Sequence, residues 1–256
     1  MTTRVTNSLP LVNFGILAPA AAPANAAAPP PAPEQKKRSN AVDAFDASAF
    51  SSAPAALDAA ADLFPGLDAL DPLTYKVAGN YKLPGDSPAE LQAVKDAVAS
   101  RTPTQNAAAI ELNKTGSNSL WLHYADDFAN KAGPIKGFLV KALLEVVLGT
   151  DGVAVALQKF AAHEPRPYMK DPSIPLITPP AKGDSYPSGH AASAYAAATV
   201  LSHFMPERKD ELFSAAANVG RSRVYLGVHY PGDVAYGARF GSAWAHALLL
   251  EKGVKA

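Results

Sequence analysis

The chain has 256 residues, 48% of them apolar and 18% charged, which is enough for one domain with a sizeable core and excludes a chain disordered throughout. Its 23 basic residues equal its 23 acidic ones, so no overall charge points to a nucleic-acid partner or a polybasic membrane surface, and any anion site must be local. It has no cysteine, which removes disulfide frameworks, thiol nucleophiles and cysteine-ligated metals together.

Residues 1 to 33 hold seven of the 23 prolines and long alanine runs, and they predict an extended leader without a regular apolar face. Arg4, the stretch Leu9 to Ala18 and Ala24-Asn25-Ala26 sketch a secretory signal, interrupted by Pro10, Asn13 and Gly15. The expectation is therefore a leader over 1–40 and a single domain over 41–256, periplasmic or secreted if the leader is a signal and cytoplasmic otherwise. No uninterrupted apolar run reaches the eighteen or so residues a bilayer span needs. Phe138 to Leu148 and Ala191 to Met205 read instead as buried helices.

From about residue 87 onward, apolar residues recur at helical spacing, which predicts an all-α fold. Ser87-Pro88-Ala89-Glu90 opens a first helix, with Leu91, Val94 and Val98 as its stripe. Further helices are expected over 119–131, 135–162, 189–204, from 207 to 220 or beyond, and over 231–250. Gly149 and Gly152 are expected to break the long 135–162 segment in two, and Pro165 and Pro167 to end it. Tyr168 to Pro187 contains Pro172, Pro175, Pro179 and Pro180, so it reads as an irregular excursion of a length that is often functional.

Three polar segments stand out: Lys159 to Pro167, Pro187-Ser188-Gly189-His190, and Ser222-Arg223 followed by His229 and Asp233. Singly, each has a plain reading as surface charge, helix start or helical pair. Together they reproduce Lys-x6-Arg-Pro, Pro-Ser-Gly-His and Ser-Arg-x5-His-x3-Asp, with all eleven specified positions present and gaps of 19 and 31 residues. On these motifs the chain resembles the type 2 phosphatidic acid phosphatase superfamily. Gly183-Asp-Ser-Tyr-Pro-Ser-Gly-His190 and Pro206 to Glu211 leading into Gly220-Arg-Ser-Arg-Val224 make it most similar to the bacterial class A non-specific acid phosphatases. The resemblance covers about residues 110–250 and implies a helical bundle of the acid phosphatase and vanadium haloperoxidase type. It also implies a metal-independent phosphate monoesterase in which homo-oligomers are common. Vanadate would fit the same anion pocket, so a vanadium-dependent haloperoxidase is the rival enzyme, and a soluble phosphatase of lipid or isoprenoid phosphates is a second alternative.

The residue types suit that chemistry on physical grounds. A phosphoryl group in flight spreads negative charge over its equatorial oxygens and needs fixed cations and donors around it. Lys159, Arg166 and Arg223 supply cations, and Ser188 with the Gly189 amide at a helix start supplies donors. His229 is expected to be the nucleophile, with Asp233 one helical turn later accepting from Nδ1 so that Nε2 faces phosphorus. His190 is then the general acid for the leaving alcohol and the base for water, which implies an acidic optimum. His229 and Asp233 lack a third metal ligand, so no metal is expected. His123, His163, His203 and His246 match no motif and read as structural or exposed, although His163 lies between two motif cations. Trp121, Tyr124 and Tyr168 read as core before substrate mouth, and Ser117 as a loop or cap residue.

Overall fold

The computed structural model describes residues 83–251, so the expected leader and the 41–82 part of the expected domain lie outside the described residues. A 3-10 turn, Pro84–Asp86, precedes helices α1 (Pro88–Ser100), α2 (Pro103–Thr115), α3 (Ser119–Ala132) and α4 (Pro134–Ala162). The single-turn α5 (Pro167–Lys170), then α6 (Gly189–Phe204), a 3-10 turn at Pro206–Arg208, α7 (Lys209–Tyr225) and α8 (Pro231–Glu251) complete the order. Among the described residues there is no strand, and the fold is all-α as the periodicity predicted. No helix among them is long and apolar enough to cross a membrane.

Two expectations about elements need correction. Gly149 and Gly152 do not divide the long segment: α4 runs unbroken for 29 residues. A mid-helix glycine costs only about 1 kcal/mol relative to alanine. Leu148, Asp151, Ala154 and Val155 are buried on either side of these exposed glycines, so tertiary packing outweighs that penalty. Nor is the Phe138 to Leu148 stretch buried all round: Leu144, Val147 and Leu148 are inside, but Phe138 is 71% exposed and Leu139 60%. Helix α2 was not foreseen, because its apolar face is narrow, yet its start carries a full capping box. Thr102 Oγ1 accepts from Gln105 N at 3.2 Å and Gln105 Oε1 accepts from Thr102 N at 2.7 Å.

Helix α6 is the axis of the bundle, packed by α8, α7, α4 and α3. Its alanines at 191, 192, 194, 196, 197 and 198 are buried and let neighbouring backbones approach, and the larger side chains come from outside. Trp121, Leu144, Val147, Leu212, Val219, Phe240 and Trp244 form that surrounding core. Both buried indoles satisfy their N–H, Trp121 on the Gly116 carbonyl at 2.7 Å and Trp244 on Thr150 Oγ1 at 2.9 Å. The tightest contact is between α6 and α8, where Gly237 and Gly241 lie against the α6 backbone; a Cβ at Gly237 would stand 2.5 Å from the Ser188 carbonyl oxygen. That approach brings the N-termini of α6 and α8 side by side, and Ser188 N donates to the Asp233 carbonyl at 3.1 Å.

Candidate active site

The motif residues are delivered by four helix ends. Lys159 is in the last turn of α4, Arg166 follows that helix, Ser188, Gly189 and His190 open α6, Arg223 closes α7, and His229 and Asp233 flank the start of α8. The link between α7 and α8 depends on Gly227, whose φ of 73° turns the chain so that Val228 N bonds to the Arg223 carbonyl at 3.2 Å. A Cβ there would come 2.7 Å from Ile174, so the turn needs glycine for space as well as for dihedral angle. The five-residue gap between Arg223 and His229 is the end of α7, Val224 and Tyr225, followed by this turn.

His229 is buried and held at both ring nitrogens. Nδ1 lies 3.0 Å from Asp233 Oδ2, and Nε2 lies 3.1 Å from Arg166 Nη1. A carboxylate accepts and a guanidinium donates, so the hydrogen-bond pattern assigns the proton to Nδ1 and leaves Nε2 unprotonated, its lone pair accepting from Arg166. Burial, followed by the charges of Arg166, Lys159 and Arg223, holds the imidazole well below its ordinary pKa and therefore neutral. Asp233 Oδ2 also accepts from Ser185 Oγ at 2.6 Å and from Tyr230 N at 3.0 Å.

The three cations differ in what they are free to do. Arg166 uses Nε on the Gly183 carbonyl (2.8 Å), Nη1 on the Val228 carbonyl (2.7 Å) and Nη2 on the Lys182 carbonyl (3.0 Å), which fixes the plane of its fork beside His229. Lys159 gives all three ammonium protons to backbone carbonyls, those of Asp184, Ser185 and Pro187, at 2.7, 2.8 and 2.7 Å. Its direct work is thus to clamp the segment leading into α6, and burial with Arg166 nearby lowers its pKa to about 7. Arg223, 2% exposed, donates from Nη1 to Asn113 Oδ1 at 2.7 Å, while its buried Nε has no hydrogen-bond partner among the described residues. Burial and Arg166 lower it to about 9, which leaves it charged at neutral pH.

Ser188 is the N-cap of α6, its hydroxyl accepting from Ala191 N at 3.4 Å. Helix geometry leaves the amides of Gly189 and His190 without intrahelical acceptors, so this end of α6 favours an anion. His190 Nε2 donates to the Asn113 carbonyl at 3.1 Å. Burial and Arg223 push its pKa down to about 3.

All eight site residues expected from the sequence converge here. Three others were missed. Ser185 and Glu164 are buried beside Asp233, and Asn113 reaches in from the last turn of α2 to touch both Arg223 and His190. Glu164 was visible as an acid between Lys159 and Arg166, and Ser185 as a hydroxyl three residues before Ser188, but Asn113 carries no local signal. His163 is the C-cap of α4 in left-handed geometry, its ring exposed and 3.5 Å from Asp184. Trp121 is core. Tyr168 ties the excursion down through its hydroxyl to the Ala181 carbonyl at 2.8 Å.

Residues 139–252 match the family model of the PAP2 superfamily. A non-specific acid phosphatase of Providencia stuartii is 45% identical over 53 residues, 21% of this chain and 21% of that protein. One from Salmonella typhimurium is 44% identical over 61 residues, 24% of each. The chain thus spans about a quarter or less of the length of these curated relatives. Among solved structures, a transmembrane PAP2 type phosphatidylglycerolphosphate phosphatase from Bacillus subtilis superposes with a TM-score of 0.54 at 23% identity, covering 72% of this chain and 94% of its own. Aquifex aeolicus LpxE superposes with a TM-score of 0.54 at 27% identity, covering 65% of this chain and 98% of its own.

Proposed function

We propose that this chain, whose residues 139–252 match the PAP2 superfamily, hydrolyses phosphate monoesters through a phosphohistidine formed on His229. The observation that carries this reading is the orientation of His229: Asp233 holds Nδ1–H, and the lone pair of Nε2 faces the Arg166 fork, where an anionic phosphoryl group would sit. The orphaned Nε of Arg223 and the free amides opening α6 supply further donors for its oxygens.

Attack by Nε2 on phosphorus forms the P–N bond as the ester P–O bond breaks, and the departing oxygen takes a proton from His190. Water then gives a proton to His190 and its oxygen to phosphorus, the P–N bond breaks, and His229 is released neutral beside Asp233. Burial first, and then the positive charges of Arg223, Arg166 and Lys159, keep His190 low. A bound phosphoryl group offsets that charge and raises the proton affinity of His190 on the complex, and the supply of protonated acid falls as pH rises. Activity is therefore expected to be greatest on the acid side of neutrality.

The test is phosphate release from an aryl phosphate monoester between pH 4 and 9, with EDTA present, for wild type and His229→Ala. Acid-favoured release that resists EDTA and is lost in the variant supports the reading, as does labelled phosphate trapped on the protein through a bond that is labile in acid and stable in alkali. No release by folded wild type overturns it, and bromide oxidation with vanadate and peroxide would then identify the haloperoxidase alternative.

A further inference from the structure

Glu164 is a charged-type residue that the proposed mechanism does not use, and it is only 1% exposed. Its backbone is pinned by Ser185 N, which donates to the Glu164 carbonyl at 2.8 Å. Its Oε1 accepts from Gly85 N at 2.6 Å, in the 3-10 turn that precedes α1. A Cβ at Gly85 would stand 3.0 Å from Tyr230 and 3.1 Å from Glu164, so this approach leaves little room for a side chain. Ser185 ties the two residues together, its N on the Glu164 carbonyl and its Oγ on Asp233 Oδ2, and the two carboxyl groups are near enough to act on each other's protonation. Asp233 Oδ2 is fully engaged by Ser185, Tyr230 and His229, whereas Asp233 Oδ1 and Glu164 Oε2 are buried and find no donor among the described residues. Two neighbouring buried carboxyl groups, each with an orphaned oxygen, are disfavoured as a pair of anions; a single proton shared between them turns repulsion into a charge-assisted hydrogen bond.

We infer that Glu164 is a neutral carboxylic acid that donates its proton to Asp233 Oδ1, and that it is a positioning residue for the His229–Asp233 pair. The proton belongs to Glu164 because Asp233 already has donors that stabilise its anion, while Glu164 accepts only one backbone amide. Burial first, and then Asp233, raise Glu164 to about 9. The charged and titratable groups around it are Asp233 of α8, Lys170 of α5, Lys159 of α4, Arg166 and Tyr230. The donated bond lowers the basicity of Asp233, so the Nδ1 proton stays on His229 and the ring keeps Nε2 unprotonated. This role rests on His229 being the nucleophile; the protonation of Glu164 does not.

The experiment compares wild type, Glu164→Gln and Glu164→Ala. Glutamine can donate to Asp233 and accept from Gly85, as a protonated glutamate does. Glu164→Gln is expected to keep kcat within about threefold at pH 6, whereas Glu164→Ala loses about tenfold or more with KM nearly unchanged, the scale of one lost buried hydrogen bond. The folded-state pKa of Glu164 is raised, so its contribution to wild-type stability is complete below about pH 4.5 and is lost as pH rises from there to about 9, and that fall is expected to be absent from Glu164→Gln. In infrared difference spectra at pH 7, wild type minus Glu164→Gln is expected to contain the carbonyl band of a buried carboxylic acid. Glutamine as damaging as alanine in kcat, or no such band, overturns the inference. If folded wild type releases no phosphate, the nucleophile reading fails, and the infrared and stability measurements still decide whether Glu164 carries the proton.

Discussion

Gly241 of α8 lies so close to Ala192 of α6 that a Cβ on Gly241 would overlap the Ala192 carbonyl oxygen. The first turns of these two helices carry Ser188, Gly189, His190 and Asp233, with His229 just before the second, so a packing detail well below the site sets its geometry. Gly241→Val is expected to lower thermal stability by several kcal/mol, in the range of overpacked cores, and to reduce phosphate release more than the unfolded fraction accounts for. Melting curves alongside activity at 25 °C separate the two effects.

His190 supplies a proton to the leaving group in the proposed reaction, so its importance should depend on how badly the leaving group needs one. His190→Asn is expected to cost on the order of a hundredfold or more in kcat for an alkyl phosphate and much less for a nitrophenyl phosphate, whose phenolate leaves unaided. Equal losses for both esters would place His190 in binding instead, which kcat and KM for the two substrates would reveal.

Lys159 gives its protons to the carbonyls of Asp184, Ser185 and Pro187, and through them it holds the approach to α6. Lys159→Met strips a donor from three acceptors at once. Both stability and KM are expected to suffer, stability by about 2 kcal/mol or more. Lys159→Arg should not restore either, because a planar fork cannot reach three carbonyls arranged around a point charge. Denaturant melts and phosphate-ester KM values for the two variants provide the check.

Asp151 is fully buried in α4, accepts from Ser193 Oγ at 3.0 Å, and is raised by burial to about 7. A carboxyl group whose folded pKa lies above its unfolded value of about 4 contributes stability that is complete below pH 4 and is lost as pH rises through 7. Asp151→Asn is expected to flatten the stability profile between those limits and to make the variant more stable than wild type at pH 8, on the order of a few kcal/mol. Urea midpoints at pH 5 and pH 8 for both proteins test the sign.

Neighbouring positions alone pointed to the helical class and to the bounds of α6 and α8 within a residue, and they picked out the eight residues that meet in the candidate site. These are local matters: apolar spacing, Ser188 as a cap, Pro231 at a helix start and Asp233 one turn from His229 are written in neighbouring positions. What those residues do to one another depends on packing between distant segments. Lys159 became a clamp because three carbonyls 25 to 28 residues away turn toward it. Asn113 entered the site from 110 residues before Arg223, with no pattern of its own to mark it. The same holds for α4, which stayed whole across Gly149 and Gly152 because burial of its inner face outweighed glycine's backbone preference. The proton between Glu164 and Asp233 follows from burial, and burial is a property of the packed molecule: in water both carboxyl groups would ionise independently, and only their shared enclosure makes one of them an acid that keeps its proton.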